Sequence, residues 1–184
     1  METLRSVLQS INDVVVEEYL KQGATDIPKT QRPFEPVKEI RERDLVVTDM
    51  LNSVGHEDVS FCVCDPDQKD CPIIFASDGF CHFTGYHREE IEGKNCRFLQ
   101  GKDTKKSDID VIRKAIKEEK EASVSLLNYR KDGTSFYNQF FIMPLYNEET
   151  KLQYFLGVQC SVERLGPAQF PKNVGWVYTQ GLHA

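Results

Sequence analysis

Apolar residues Leu4, Val7, Leu8, Ile11, Val14, Val15 and Tyr19 recur at steps of three and four. That is the spacing of one helix face, and it predicts an amphipathic helix within residues 1–22. Gly23, Pro28, Pro33 and Pro36 then break the pattern. Proline lacks a backbone donor and restrains the residue before it, so residues 23–36 read as a linker. A second helical pattern through Val37, Ile40, Val47, Leu51 and Val54 predicts a flanking helix over 37–56, with Gly55 suited to its C-terminal cap.

From Val59 the period shortens to that of strands. Residues 59–64 and 72–76 read as two short strands joined through an Asp-Pro turn. Gly79, Gly85 and Gly93 leave room only for short helices between Ser77 and Gln100, whereas residues 106–120 set an apolar stripe of Ile109, Ile112, Ala115 and Ile116 against charged positions. Residues 123–130, 134–145 and 152–162 follow as three strands, joined by Lys131-Asp132-Gly133 and by a turn near Asn147. Turns of that chemistry join antiparallel neighbours. The tail, 163–184, carries Pro167, Phe170, Pro171, Trp176 and Tyr178 without a period. The order predicts an α+β domain over 57–162: a five-stranded antiparallel sheet with short helices gathered on one face, N-terminal flanking helices and a C-terminal tail.

Composition narrows the function. A chain of 184 residues with 40% hydrophobic and 28% charged residues is a folded protein, neither disordered nor collagen-like. The net charge is −6, and the first 60 residues hold seven basic groups against twelve acidic ones. A nucleic-acid binder would need a basic stripe, and an anionic-membrane binder would need clustered Lys and Arg beside an apolar face; neither is present. No apolar run reaches the roughly 18–20 residues of a membrane span, and the acidic N-terminus lacks signal-peptide order. The expectation is an intracellular, cytoplasmic protein, with the nucleus left open. Its six cysteines are then expected to be reduced. None is spaced as a paired C-x-x-C zinc motif, and no metal site is expected.

Chemistry concentrates in Gly93-Lys-Asn-Cys-Arg-Phe-Leu-Gln-Gly101, where Cys96 stands between an amide and a guanidinium in a glycine-bounded loop. This segment, together with Ile73-Ile-Phe-Ala-Ser-Asp78, Asn128-Tyr129, Phe136 to Phe140 and Tyr154-Phe-Leu-Gly-Val-Gln159, resembles the light, oxygen, voltage (LOV) branch of the PAS superfamily. These are flavin photosensors of the phototropin type. The resemblance runs without insertion from about Phe61 to Gln159. It implies a non-covalently bound flavin mononucleotide (FMN) and a reversible cysteinyl-flavin bond at ring carbon C4a, formed by Cys96 in blue light.

Other roles follow from the same resemblance. Asn128 and Asn138, on adjacent predicted strands, would bond the pyrimidine edge of the ring. Arg97 and Arg113 would grip the phosphate, a task suited to guanidinium forks. Family members that prefer the dinucleotide carry an insertion between these cations, and its absence favours FMN over FAD. Asn95 and Gln100 correspond to positions that bond the ribityl chain or ring edge. Leu99, Ile109, Ile112, Ile116, Leu126, Phe140, Ile142, Phe155 and Gly157 correspond to the apolar lining, although core packing explains their character equally well. Gln159 would face flavin N5 and rotate when that atom becomes protonated, because an amide offers both donor and acceptor. The chain departs from phototropins at Cys64 and Cys71, which stand where those domains carry polar residues that touch or surround the flavin, and at Cys62, which replaces an aliphatic wall residue.

Two other classes are a flavin-binding PAS redox sensor without photochemistry, and a thiol enzyme using Cys96 with His82 or His87 as base. The intact Asn-Cys-Arg-Phe-Leu-Gln run argues against the first, and nothing in the spacing supports the second. No kinase, cyclase, phosphodiesterase or helix-turn-helix signature lies outside residues 57–162. Output is therefore expected to pass through the flanks, through a homodimer made by the N-terminal helices or sheet face, or through a separate protein partner.

Overall fold

The computed structural model describes residues 32–53 and 59–161. Its five strands are β1 (Ser60–Cys64), β2 (Ile73–Ala76), β3 (Ala122–Tyr129), β4 (Ser135–Tyr146) and β5 (Leu152–Ser161). They form one antiparallel sheet in the order β2-β1-β5-β4-β3. The meander β3-β4-β5 and the pair β1-β2 are those expected from the turns. The seam joining them is β1 against β5, in which Cys62 faces Gly157 and Ser60 faces Gln159.

Strand side chains alternate between the two faces of a sheet, and here the two faces are chemically distinct. One carries Phe61 and Val63 of β1, Met143 and Leu145 of β4, and Tyr154, Leu156 and Val158 of β5; Phe34, Val47 and Leu51 pack on it. The other carries Cys62, Phe140, Ile142 and Phe155, covered by residues of the short helices. Those helices are α2 (Asp78–Thr84), α3 (Arg88–Ile91), a 3-10 turn (Cys96–Leu99) and α4 (Lys106–Glu118).

Local chemistry fixes each cover element. Ser77 caps α2 by accepting from Phe80 N, and its hydroxyl also donates to Val59 O, tying the helix to the start of β1. Gly79 has to lack a side chain, since a Cβ there would lie 2.5 Å from Val59 O. The α4 stripe ends at Glu119, whose left-handed backbone closes the helix with bonds to Ala115 O and Ile116 O.

The flank differs from the expectation of a helix over 37–56. The helix α1 spans Glu42–Ser53, and Val37 is 97% exposed. After Pro36 the backbone is recruited elsewhere: Lys38 N donates to the Tyr154 hydroxyl and Arg41 N to Tyr146 O. The stretch from Arg32 to Pro36 is irregular, as its prolines require, yet Phe34 is buried edge-on against Phe75 and Tyr154. The sheet face considered for dimerisation thus carries Phe34 and α1. The helix expected within 1–22 and the tail over 163–184 lie outside the described residues.

Lys38 also bonds Asp65 and Asp67, staple-like, across to the β1-β2 loop. Burial by itself would raise the Asp65 pKa, but hydrogen bonds from Lys38, the Asp67 amide and Gln68 outweigh it and hold the carboxyl below its ordinary value. Stability from a depressed carboxyl is present above its unfolded value, near pH 4, and is lost as pH falls through the folded value. Wild type is therefore expected to melt above Asp65→Asn at pH 7, with the gap closing below about pH 4. Thermal melts of both proteins across that range check it.

Candidate functional site

The inner sheet face and the short helices enclose a cavity of about 150 Å³. A smaller void of about 20 Å³ adjoins it. Cys96, Gln100, Ile112 and Phe140 line both, which makes them two parts of one cleft.

Ile109, Ile112 and Ile116 of α4 form one wall of the larger part, and Ile142, Phe155 and Gly157 of the central strands form its floor. The three isoleucines remain only half-buried although the helix packs on the sheet. Gly157 keeps the floor low, because a Cβ there would sit 2.8 Å from the Phe140 ring and 3.3 Å from Cys62 Sγ.

The smaller void is amide-lined. Asn128, Asn138 and Gln159 meet there with Leu99 and Leu126. Register explains the meeting: Leu126 lies across from Asn138, and Phe140 across from Gln159. Asn138 Nδ2 donates to Asn128 Oδ1 and to Gln159 Oε1, each at 3.0 Å. Asn138 is 1% exposed, yet its Oδ1 has no hydrogen-bond partner among the described residues. The Ser60 hydroxyl, across from Gln159, is likewise buried and unpartnered. Buried polar groups are normally satisfied, and an exception at a cavity calls for a ligand or water. Amides beside apolar walls suit a planar heteroaromatic ring with polar and apolar edges.

Cys96 opens the 3-10 turn on the cavity wall. Its loop is anchored by Ile73 N to Lys94 O and Gly93 N to Ile73 O, and Asn95 Oδ1 caps the turn at Arg97 N. Desolvation pushes the Cys96 thiol up to about 11, outweighing the adjacent Arg97 charge. The group is therefore a thiol at neutral pH, unlike the thiolate of a cysteine enzyme. His82 and His87 are exposed and line neither part of the cleft, so no base accompanies it from either.

The expected phosphate cations stand at the rim of the larger part, and both are engaged by acids. Arg97 makes a two-pronged ion pair with Asp70, and Arg113 bonds Asp110 one turn back on α4 at 3.1 Å. Asn95 lines the cavity, but its Nδ2 is directed to Asp70 O and Cys71 O. Every residue that the resemblance assigns to the flavin, Cys64 included, lines the cleft.

Cys62 and Cys71, noted from sequence as departures from phototropins, line the larger part as well. Ser60 and Asp70, beside the cleft, were not singled out; Ser60 shares the parity of Cys64 in β1, so strand alternation could have placed it on the inner face. Cys71 sits in a left-handed turn with Asp70, at φ 46° and 73°. The neighbouring Cys64 thiol and burial together push the Cys71 thiol well up. Asp70 had no local signal, because its partner is 27 residues away.

A sheet in this order with helices packed over a central cleft makes room for a small ligand between the two layers. Residues 58–160 match the PAS domain family, and the chain belongs to it. Within that family the likeness is to LOV domains. Phototropin-2 of Oryza sativa subsp. japonica is 47% identical over 120 residues, covering 65% of this chain and 13% of that protein. A blue-light photoreceptor of Listeria monocytogenes is 49% identical over 113 residues, covering 61% of this chain and 44% of that one. A solved light-oxygen-voltage domain, studied with a flavin analogue, is 44% identical with a TM-score of 0.57, covering 58% of this chain and 78% of the other. This chain therefore spans less than half the length of either sequence relative.

Proposed function

We propose that the domain is a blue-light sensor that holds FMN in the cleft and reports illumination through its strands and flanks, not an enzyme. The observation that carries this is the conjunction, in one cleft, of a half-buried thiol and an amide-lined void where Asn138 Oδ1 has no partner among the described residues. The residues present fit the group. Asn128 and Asn138 would hold the pyrimidine edge, Leu99, Leu126, Phe140 and the α4 isoleucines the ring faces and apolar edge, Gln100 and Asn95 the ribityl chain, and Arg97 and Arg113 the phosphate. When bound, FMN supplies a light-excitable ring that takes a reversible bond from a neighbouring thiol. The raised pKa of Cys96 means that its sulfur arrives with its proton, so no separate acid is needed at the wall.

Gln159 is the transmitter in this reading. Its Oε1 accepts from Asn138 while its backbone lies in β5 between β1 and β4. Reversing the amide would trade that acceptor for a donor and alter the pairing at the centre of the sheet. Gln159→Leu is expected to keep the light-induced bleaching and to lose the light-minus-dark difference in amide hydrogen exchange of β4 and β5. Retention of the difference in the variant would remove the glutamine from the signal.

Chromophore identity has its own test. Protein purified in darkness and heat-denatured is expected to release FMN, identified by mass. Release of FAD, or of no flavin before or after reconstitution, would contradict the assignment.

A further inference from the structure

We propose that Asp70 is a latch that competes with the ligand's phosphate for Arg97, and so sets how strongly the cleft prefers a phosphorylated flavin over an unphosphorylated one. The inference rests on the FMN reading and names a determinant of its ligand class. Arg97 lines the rim of the cavity, and both ends of its guanidinium fork are taken by the two Asp70 oxygens. A fork occupied in this way has its best phosphate geometry already in use. A dianionic phosphate must displace the carboxylate or share the fork beside a like charge, and either course weakens binding.

The latch is built to open. The Arg97 and Asp70 side chains are 57% and 55% exposed, so solvent screens the pair and its exchange for another anion is cheap. Asp70 is held in place by its backbone: φ is 73° and its carbonyl accepts from Asn95 Nδ2, the residue preceding Cys96. The carboxylate thus comes from the β1-β2 loop while the arginine comes from the photochemical turn, and a phosphate would separate them. Asp110 differs in making a single contact to Arg113 within one helix.

The test titrates apoprotein with FMN and with riboflavin, following quenching of flavin fluorescence, in wild type and Asp70→Asn. Asparagine tolerates the left-handed backbone at this position. Loss of the carboxylate is expected to tighten FMN about three- to tenfold, the size of one exposed charge pair plus relief of one repulsion. Riboflavin, with no phosphate, should stay within about twofold, and the FMN gain should shrink at high salt. In an Arg97→Gln background the same Asp70→Asn change should no longer tighten FMN, which isolates the pairwise effect. Unchanged or weakened FMN binding in Asp70→Asn would overturn the latch, as would equal shifts for both flavins, which indicate a loop effect. Failure of both flavins to bind either protein would overturn the flavin reading and the latch with it.

Discussion

Cys96→Ala is expected to bind flavin within about threefold of wild type and to lose light-induced bleaching of the blue absorption band completely. The binding half follows from packing. Cys96 is one wall residue among many, and alanine removes a single atom from a half-buried site. The photochemical half follows from the absence of a substitute. Cys62, Cys64 and Cys71 line the same cavity, but Cys62 and Cys64 extend from β1 and Cys71 from the β1-β2 loop, whereas Cys96 comes from the covering turn. If one of them could replace Cys96, bleaching would persist in the variant. Absorption spectra before and after a blue pulse, on Cys96→Ala and on the triple variant Cys62→Val/Cys64→Thr/Cys71→Ser, separate the cases. The triple variant is expected to bleach, with altered recovery.

Asn138→Leu carries the second large effect, and it acts on binding. Asn138 Nδ2 is the shared donor to Asn128 and Gln159, and its Oδ1 is the buried acceptor with no partner. Leucine removes both N–H donors and the free acceptor, strands the Asn128 and Gln159 oxygens, and leaves Asn128 as the one asparagine at the ring edge. Each neutral hydrogen bond is worth about 1 kcal/mol net, and each stranded buried group costs about 1–3 kcal/mol. Flavin affinity is expected to fall about 10- to 100-fold, or roughly 1.4–2.8 kcal/mol. The apoprotein is also expected to melt lower, because its own amide cluster is broken. Titration and thermal melts on the same sample read both consequences. Unchanged flavin affinity would remove the amide void from the binding site.

Much of this architecture was legible because alternation and turn chemistry are local. Asp132-Gly133 marked the β3-β4 hairpin, and parity within β4 put Asn138, Phe140 and Ile142 on one face. The seam between β1 and β5 had no local signal, since Cys62 and Gly157 are far apart in sequence. The helical period through Val37 and Ile40 misled for a physical reason: both positions fit a helix face, but the backbone there bonds to Tyr154 and to the end of β4. Ile40 is buried by that extended docking, while Val37 is left outside.

The site divides in the same way. The Cys96 loop and the asparagines stand out by motif, and their convergence required only the meander. The α4 stripe read equally well as core. What distinguishes it in three dimensions is that Ile109, Ile112 and Ile116 stay half-buried around a cavity while Ala115 is fully covered. The acid that holds Arg97 was invisible, because a charge in a loop reads as a solvated face until its partner is placed, whereas Asp110 stands three residues before Arg113 on α4, a spacing legible in sequence. The Cys64-Cys71 contact was equally hidden, because it depends on a left-handed turn that folds the β1-β2 loop back on the strand.

The most direct test of the central claim is the absorption spectrum of the purified protein in darkness, after a blue pulse, and through recovery in darkness. A structured flavin band that bleaches after the pulse and returns is the predicted result. A flavin band indifferent to light would contradict photosensing by Cys96 and point to a redox module, and a protein that takes up no flavin even after reconstitution would contradict the site itself.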